Sequence, residues 1–324
     1  MSGVTHQKVK RDEDGMRIDR WFRSRYPDLT QGRLQKMLRK GEVRLDGGRV
    51  KADQRVAAGQ MVRVPPMPDG AAPKTDMALS DRDRKAAEEM VIYRDPEVLV
   101  LNKPAGLAVQ GGTKVTRHVD GMLPALSFGL EEPPRLVHRL DKDTSGLLVL
   151  GRTRQAAQWL TRAFRDRDTE KNYWALVAGT PRPHQGIIDL RLSKEGGPRG
   201  EMVEPVEEGG QKAISQYTVV SHAGQRAAWL AMRPVTGRTH QLRVHAAAIG
   251  CPIIGDGKYG GEKAHEGGFG RGMFLHARRL VLTRLDGRML DVTAEPPAGF
   301  LEALDQLGFD LRDGDEEIEW PEAD

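Results

Sequence analysis

Between positions 138 and 151 the chain reads HRLDKDTSGLLVLG. Arg139, Asp141 and Asp143 lead into a Thr-Ser-Gly turn and then an apolar run at 147–150, flanked by Gly146 and Gly151. A short continuous apolar run between glycines predicts a buried strand rather than a helix. A charged loop that ends on a buried strand is held rigidly, and catalytic carboxylates tend to sit on such loops. The same residues also fit a plain surface turn in which Asp141 and Asp143 cap or solvate, and local sequence does not separate the two. Two distant segments supply other reactive side chains. KNYWALVAG places Tyr173 on a predicted strand, and GRTHQLRVHAAAIGCPIIGDGKYG places Arg243 on a predicted helix. A carboxylate, a phenol and a guanidinium together make a site that needs no cofactor. Each has a duller reading, as a core tyrosine or a surface salt bridge.

The common cofactor motifs fail. The chain has no G-x-x-x-x-G-K-[ST] phosphate loop, and GDGKYGG at 255–261 lacks that spacing. No G-x-G-x-x-G joins a strand to a helix. His240 and His245 lie five apart, poor spacing for one metal on a helix, and suit hydrogen bonding or RNA contact. Ser145 lacks a Ser-His-Asp context, and the G-x-S-x-G elbow is missing. The single cysteine, Cys251, excludes an internal disulfide and any multi-cysteine metal site. The expectation is an enzyme with neither metal nor nucleotide cofactor.

Composition narrows the partner. The 324 residues are 38% hydrophobic and 5% aromatic, enough for two or three domains. Net charge is +4, but residues 313–324 hold seven acidic side chains and no basic one, so the rest carries +11. Residues 1–64 hold 16 Lys or Arg against 8 Asp or Glu. That concentration points to a polyanion, RNA or DNA ahead of an anionic membrane. The opening MSGVTHQKVKRDEDG has no apolar segment, and no run reaches the length of a membrane span, which predicts a cytoplasmic protein.

The elements that must position these residues fall into two groups. After a predicted disordered stretch at 1–15, Ile18, Trp21 and Phe22 lie at helical spacing, with Pro27 as the stop. Thr30 caps a second predicted helix whose stripe is Leu34, Met37 and Leu38 and whose end is Gly41; Arg33, Lys36, Arg39 and Lys40 face outward. Short strands follow at 42–45, 49–51 and 61–64. A Pro/Ala/Gly-rich linker spans 65–84. From 85 to 312 one larger domain is expected, with strands at 98–101, 173–177, 217–220, 227–232, 280–282 and 289–292. Helices are expected at 153–165 and 239–249, and 313–324 forms a disordered acidic tail. Strands dominate without a β-α-β period, which argues an α+β class with a mainly antiparallel mixed sheet.

RIDRWF and TQGRLQKMLRKGEVRLDGGRVKADQRVAAGQMVRV, over 16–64, resemble the S-four type RNA-binding domain. HRLDKDTSG, KNYWALVAG, GRTHQLRVH and NKPAG at 102–106, over 85–300, resemble pseudouridine synthases of the RluA/RluC/RluD type. That resemblance implies Asp141 as the essential aspartate, Tyr173 as the active-site tyrosine and Arg243 as the aspartate's basic partner. It also implies Arg139 as the residue that enters RNA where the target base has left. Leu275 and His276, in FLHARRL, are implied to line the pocket, although LTRLDG departs from the family's usual continuation there. Lys103, Arg238 and His240 are expected RNA contacts, as are Arg33, Lys36, Arg39 and Lys40. Asp143 is expected to brace the turn, and Gly237 and Gly255 to form turns. The implied partner is structured RNA, with large-subunit ribosomal RNA ahead of transfer RNA, and the implied state is a monomer. Two rival readings remain: a non-catalytic RNA-binding or assembly factor, and a hydrolytic glycosidase. The glycosidase needs a second carboxylate across the sugar, for which Asp143 is too near Asp141.

Overall fold

The computed structural model describes residues 3–26, 29–67, 79–111, 115–166, 169–197, 200–265, 268 and 272–321. The chain divides into two compact units, Met1–Leu79 and Ser80–Asp324.

The first unit runs β1 (Thr5–Lys8), α1 (Ile18–Arg25), α2 (Gln31–Lys40), β2 (Arg44–Leu45), β3 (Gly48–Arg49) and β4 (Met61–Val64). Its sheet order is β1-β4-β2-β3. Ile18, Trp21 and Phe22 are fully buried beneath that sheet with Leu34, Met37, Leu38, Val43 and Val62. The helical spacing read from sequence therefore builds one core. The Thr30 hydroxyl accepts from the Arg33 N–H at 3.4 Å, and Gly41 ends α2 in the left-handed region. Pro27 lies outside the described residues.

The expected disorder at 1–15 does not hold from residue 3 onward, and residues 1 and 2 lie outside the described residues. β1 pairs antiparallel with β4, Val9 is buried, and Glu13 takes hydrogen bonds from Trp21 Nε1 and Arg25. Strand pairing, one buried valine and one charged residue bonded to a core helix together order a polar segment. Arg33, Lys36, Arg39 and Lys40 lie along α2, and Arg39 and Lys40 are exposed on it. Arg33, Lys36 and Lys40 line a cavity of ≈ 460 Å³ closed by Pro65 and Pro66. Of the expected linker, 68–78 lies outside the described residues, and its last part is not linker. Ser80 caps a helix that starts at Asp81, its hydroxyl accepting from the Asp83 N–H.

The second unit comprises α3 (Asp81–Glu89), β5 (Val91–Arg94), β6 (Val98–Lys103), α4 (Val119–Met122), β7 (Arg135–Leu136), β8 (Ser145–Gly151), α5 (Arg154–Asp166), β9 (Thr169–Ala178) and β10 (Gln185–Gly197). It continues through β11 (Gly200–Val206), β12 (Gln211–Ala223), β13 (Ala227–Pro234), α6 (Gln241–Ala248), β14 (Leu275–Thr283), β15 (Met289–Thr293) and α7 (Ala298–Leu307). One sheet runs β11-β10-β12-β13-β9-β14-β8-β6-β5, with β15 on β14 and β7 on β8. Among the described residues every pairing in it is antiparallel except β14 with β8.

Side chains alternate across that sheet, so β9 serves two cores. Ala175 and Val177 pack with Tyr217, Leu230, Met232, Leu242 and Ala246, which seats α6 on one face. Trp174 and Leu176 pack with Trp229, Phe300, Leu304 and Phe309, which seats α7 on the other. The acidic tail is ordered through Pro321, contrary to the sequence expectation. Gly314 lies so close to Trp229 and Trp174 that a Cβ there would sit 2.3 Å from the Trp229 ring. Asp315 pairs with Arg278 at 2.9 Å, and Gln216 and Thr218 donate to the carbonyls of Pro321 and Glu319. One small residue and one buried cation anchor a run whose charge suggested solvent.

Candidate active site

The loop that carries Asp141 is fixed from beneath and behind. Lys103 is fully buried, and its ammonium donates to the carbonyls of Pro104 (2.9 Å), Leu107 (2.8 Å) and Lys142 (3.0 Å). The Gly106 N–H donates to the same Lys142 carbonyl at 2.9 Å. NKPAG is therefore a clamp that holds the residue after Asp141. Burial pulls the Lys103 pKa down to about 8, against the pull of Asp143 and Asp141. An ammonium spent on three carbonyls inside the protein does not reach a phosphate, so Lys103 is removed from the expected RNA contacts.

Behind the loop, the Ser145 hydroxyl lies 2.9 Å from His276 Nδ1, and His276 Nε2 lies 2.9 Å from the Ala294 carbonyl. The carbonyl can only accept, so His276 donates from Nε2 and takes the Ser145 proton on Nδ1. His276 is fully buried, and burial lowers its pKa to about 4. It braces the loop and does not line a pocket, which corrects the sequence expectation. Leu275 is likewise buried, packed in the cluster that Tyr173 joins. At Gly146, with φ +104°, a Cβ would sit 2.3 Å from the Ala277 carbonyl oxygen. Asp143 is exposed and makes no hydrogen bond among the described residues; Lys103 and Ser145 do the bracing assigned to it. His138, next to Arg139, is structural too. It accepts from the Val149 N–H at 2.8 Å and stacks on Phe164 at 4.1 Å.

Strand register brings Tyr173 to this loop. Ala277 pairs with Gly146 on one side and with Tyr173 on the other, so all three share a rung across β8, β14 and β9. Burial raises the pKa of the Tyr173 phenol, and the Asp141 charge raises it further.

The turn into α6 supplies the cations. Gln241 is buried, its Oε1 accepting from Thr236 and the Arg238 N–H and its Nε2 donating to Ile214 and Ser215. With that turn locked, Arg243 points inward. Its Nε and Nη2 donate to Asp256 at 2.8 and 2.7 Å, and its Nη1 lies 3.8 Å from Asp141 Oδ2. Asp256 Oδ1 also accepts the N–H groups of Lys258 (2.9 Å) and Tyr259 (3.1 Å). Burial opposes the charge on both partners, but their mutual hydrogen bonds outweigh it, raising the Arg243 pKa and lowering that of Asp256. The direct partner of Arg243 is thus Asp256, and Asp141 is its second neighbour.

His240, expected as an RNA contact, instead belongs to the cluster, its side chain 13% exposed. It holds φ +54° ahead of α6, with Nε2 4.0 Å from Asp141 Oδ1 and Nδ1 2.7 Å from the Tyr259 hydroxyl. Asp256, Tyr259 and Gln241 escaped the sequence reading as functional residues, though all three stand inside the quoted GRTHQ and GDGKYG segments. His245 parts from His240: it is fully buried with neither ring nitrogen bonded among the described residues. Arg238 is exposed beside a cavity of ≈ 490 Å³ edged by β10–β12 and Thr239, its side chain donating to the Lys212 carbonyl. The Arg139 side chain is exposed and bonded to nothing among the described residues.

The arrangement is a carboxylate with 23% of its side chain open, faced by a fixed guanidinium and a histidine, near a tyrosine ring. Residues 97–248 match the family model described as RNA pseudouridylate synthase. The chain is 35% identical over 293 residues to the ribosomal large subunit pseudouridine synthase C of Rickettsia bellii, covering 88% of this chain and 95% of that one. The chain belongs to the RNA pseudouridylate synthase family. As a member it is an isomerase that converts uridine in RNA to pseudouridine. The family member named ribosomal large subunit pseudouridine synthase C from Escherichia coli is 34% identical over 317 residues, with 92% and 95% covered. Among solved structures, human RNA pseudouridylate synthase domain containing 4 superimposes with TM-score 0.60 at 29% identity, over 71% of this chain and 98% of that one.

Proposed function

We propose that this enzyme isomerises specific uridines of large-subunit ribosomal RNA, with Asp141, Tyr173 and Arg243 as its catalytic residues. The relatives covered over nearly their whole length carry the ribosomal large subunit in their names, which supports the substrate. The basic first unit, with Arg33, Lys36, Arg39 and Lys40 along one helix, acts as an S-four type RNA-binding domain that contacts phosphates without choosing sequence. Arg238, exposed two residues before His240, adds a further phosphate contact.

The observation that carries the site is the placement of Asp141, partly open on a loop locked by Lys103 and faced by Arg243. In the reaction the bond from uracil N1 to the ribose C1′ breaks, the freed uracil turns, and C5 bonds to C1′. The C5 proton then leaves and N1 gains one, so no redox partner enters. Positive charge develops on the sugar as the first bond breaks, and an ionised Asp141 opposes it. Arg243 keeps that carboxylate charged and oriented. Tyr173 offers a flat face to the freed uracil. Its raised pKa keeps it a neutral phenol, which favours stacking over service as a ready base. Extruding the nucleotide costs a few kcal/mol of stacking, which the exposed Arg139 offsets by filling the vacated place.

The test is conversion of unmodified large-subunit RNA by the purified protein, with pseudouridine mapping in cells lacking it. Conversion at sites that are lost in those cells is the expected result. Conversion confined to transfer RNA would overturn the substrate assignment.

A further inference from the structure

Behind the catalytic pair runs a chain of one backbone N–H and two side chains. The Val203 N–H, on the outer edge of β11, donates to the Tyr259 hydroxyl at 3.0 Å. That hydroxyl lies 2.7 Å from His240 Nδ1, and His240 Nε2 faces Asp141 Oδ1 at 4.0 Å. Arg243 faces the other carboxylate oxygen, Oδ2, at 3.8 Å. Asp141 is thus flanked by one nitrogen on each oxygen.

The proton positions in this chain follow from its donors. A phenol has one proton. The Tyr259 oxygen already accepts from Val203, and the Arg243 guanidinium 5.1 Å from its ring can only donate. Among the described residues His240 Nδ1 is the atom within hydrogen-bond distance that can take the phenol proton, which assigns Nδ1 as the acceptor. A neutral imidazole that accepts on Nδ1 carries its proton on Nε2. That proton points at Asp141.

We infer that His240 is a positioning residue for Asp141: Tyr259 fixes its tautomer, and its Nε2–H orients the carboxylate oxygen that Arg243 does not reach. The inference rests on the reading of Asp141 as the catalytic carboxylate. The separation of 4.0 Å is longer than a hydrogen bond, and catalytic hydrogen bonds that are long in a free enzyme commonly tighten only in the complex with substrate. With Nδ1 accepting the Tyr259 proton, the ring is the neutral one. Burial favours the neutral ring as well, with Arg243 and Lys258 reinforcing it and Asp141 and Asp256 opposing it. Asp141 thus keeps its full charge, since a neutral donor orients it without neutralising it. Because Val203 belongs to the β10–β11 hairpin, the chain also ties an edge strand of the sheet to the reacting carboxylate.

The experiment uses the full-length protein and a large-subunit RNA transcript under single-turnover conditions. His240→Ala is expected to lower the rate of conversion by about 10- to 100-fold, the scale of removing one orienting hydrogen bond, with RNA affinity within about twofold of wild type. His240→Gln, whose amide nitrogen reaches the place of Nε2, is expected to recover most of that loss, whereas His240→Asn is not. ¹⁵N-histidine NMR should show the His240 Nε2–H tautomer in the native protein and its loss in Tyr259→Phe. An Nδ1–H tautomer in the native protein overturns the inference whatever the activities. A fully active His240→Ala beside an inactive Asp141→Asn overturns the inference alone. An active Asp141→Asn overturns the site reading on which it rests.

Discussion

Asp256 lies behind the proposed catalytic groups and is itself fully buried, yet replacing it should damage the enzyme more than most changes at the rim. Its carboxylate is fully buried and collects four N–H groups, two from Arg243 and one each from Lys258 and Tyr259. Asp256→Asn removes the charge and turns one acceptor into a donor that faces other donors. The Arg243 side chain, 6% exposed, then keeps, among the described residues, only Asp141 at 3.8 Å as counter-charge. Removing one partner of a buried pair costs about 3–5 kcal/mol, a large share of the roughly 5–15 kcal/mol that holds a domain folded. Urea unfolding followed by circular dichroism should show that loss, together with a fall in turnover as Arg243 loses its fixed aim. Arg243→Met combined with Asp256→Leu supplies the contrast. Two apolar side chains in the same volume remove the unpaired charge but leave the Lys258 and Tyr259 N–H groups without Asp256, so they should recover part of the stability and none of the activity. A loss under about 1 kcal/mol in Asp256→Asn would refute the reasoning, because the pair would then carry no buried charge worth compensating.

Separate parts of the molecule lead to three further outcomes. Changing Arg33, Lys36, Arg39 and Lys40 together to Gln should weaken RNA binding and flatten its dependence on salt, by about 0.7–0.9 in log–log slope for each phosphate that α2 ceases to neutralise; an unchanged slope would exclude phosphate binding by α2. Gly146→Ala should destabilise the enzyme by several kcal/mol in thermal unfolding, since the new methyl meets the Ala277 carbonyl and the backbone is left-handed there; a shift of a degree or two would contradict the close approach. Lys103 titrates at about 8 in the folded protein against 10.5 ordinarily, so the unfolded chain holds more protons between those values. The burial penalty is present in full below about pH 8 and is relieved as pH rises towards 10.5. Relative to Lys103→Met, the native protein should therefore gain roughly 3 kcal/mol across that window in chemical denaturation; a difference independent of pH would refute it.

Local chemistry made part of this structure legible in advance. The Thr30 cap, the Gly41 stop and the Ile18, Trp21, Phe22 stripe each depend on neighbours within one or two turns, and each stands where the spacing places it. The run at 147–150 lies within β8 for the same reason. Partnerships across the chain were not legible. Arg243 was expected to pair with Asp141, but its direct partner, Asp256, is set by the turn after α6 packing against the sheet. Lys103 and His276 carry polar side chains that sequence assigns to a surface, and only the tertiary fold provides three carbonyls for one and a serine–carbonyl pair for the other. The β10–β11 hairpin escaped the sequence reading although Ile188, Leu190 and Leu192 alternate with the exposed Asp189 and Arg191, the period-2 pattern of a half-buried strand. Asp315 and Gly314 sit in a run whose net charge predicts solvent, and their contacts with Arg278, Trp174 and Trp229 reverse that expectation.

In the proposed mechanism Asp141 performs the chemistry while the rest of the site holds it. Single-turnover conversion of uridine in large-subunit RNA by Asp141→Asn, measured beside RNA binding, tests that division of roles most directly. The substitution keeps the side-chain shape and the loop, whose clamp runs through the Lys142 carbonyl and Ser145 rather than through the Asp141 carboxylate. Loss of detectable conversion with RNA affinity within a few-fold of wild type is the predicted result. Conversion at the wild-type rate would contradict it.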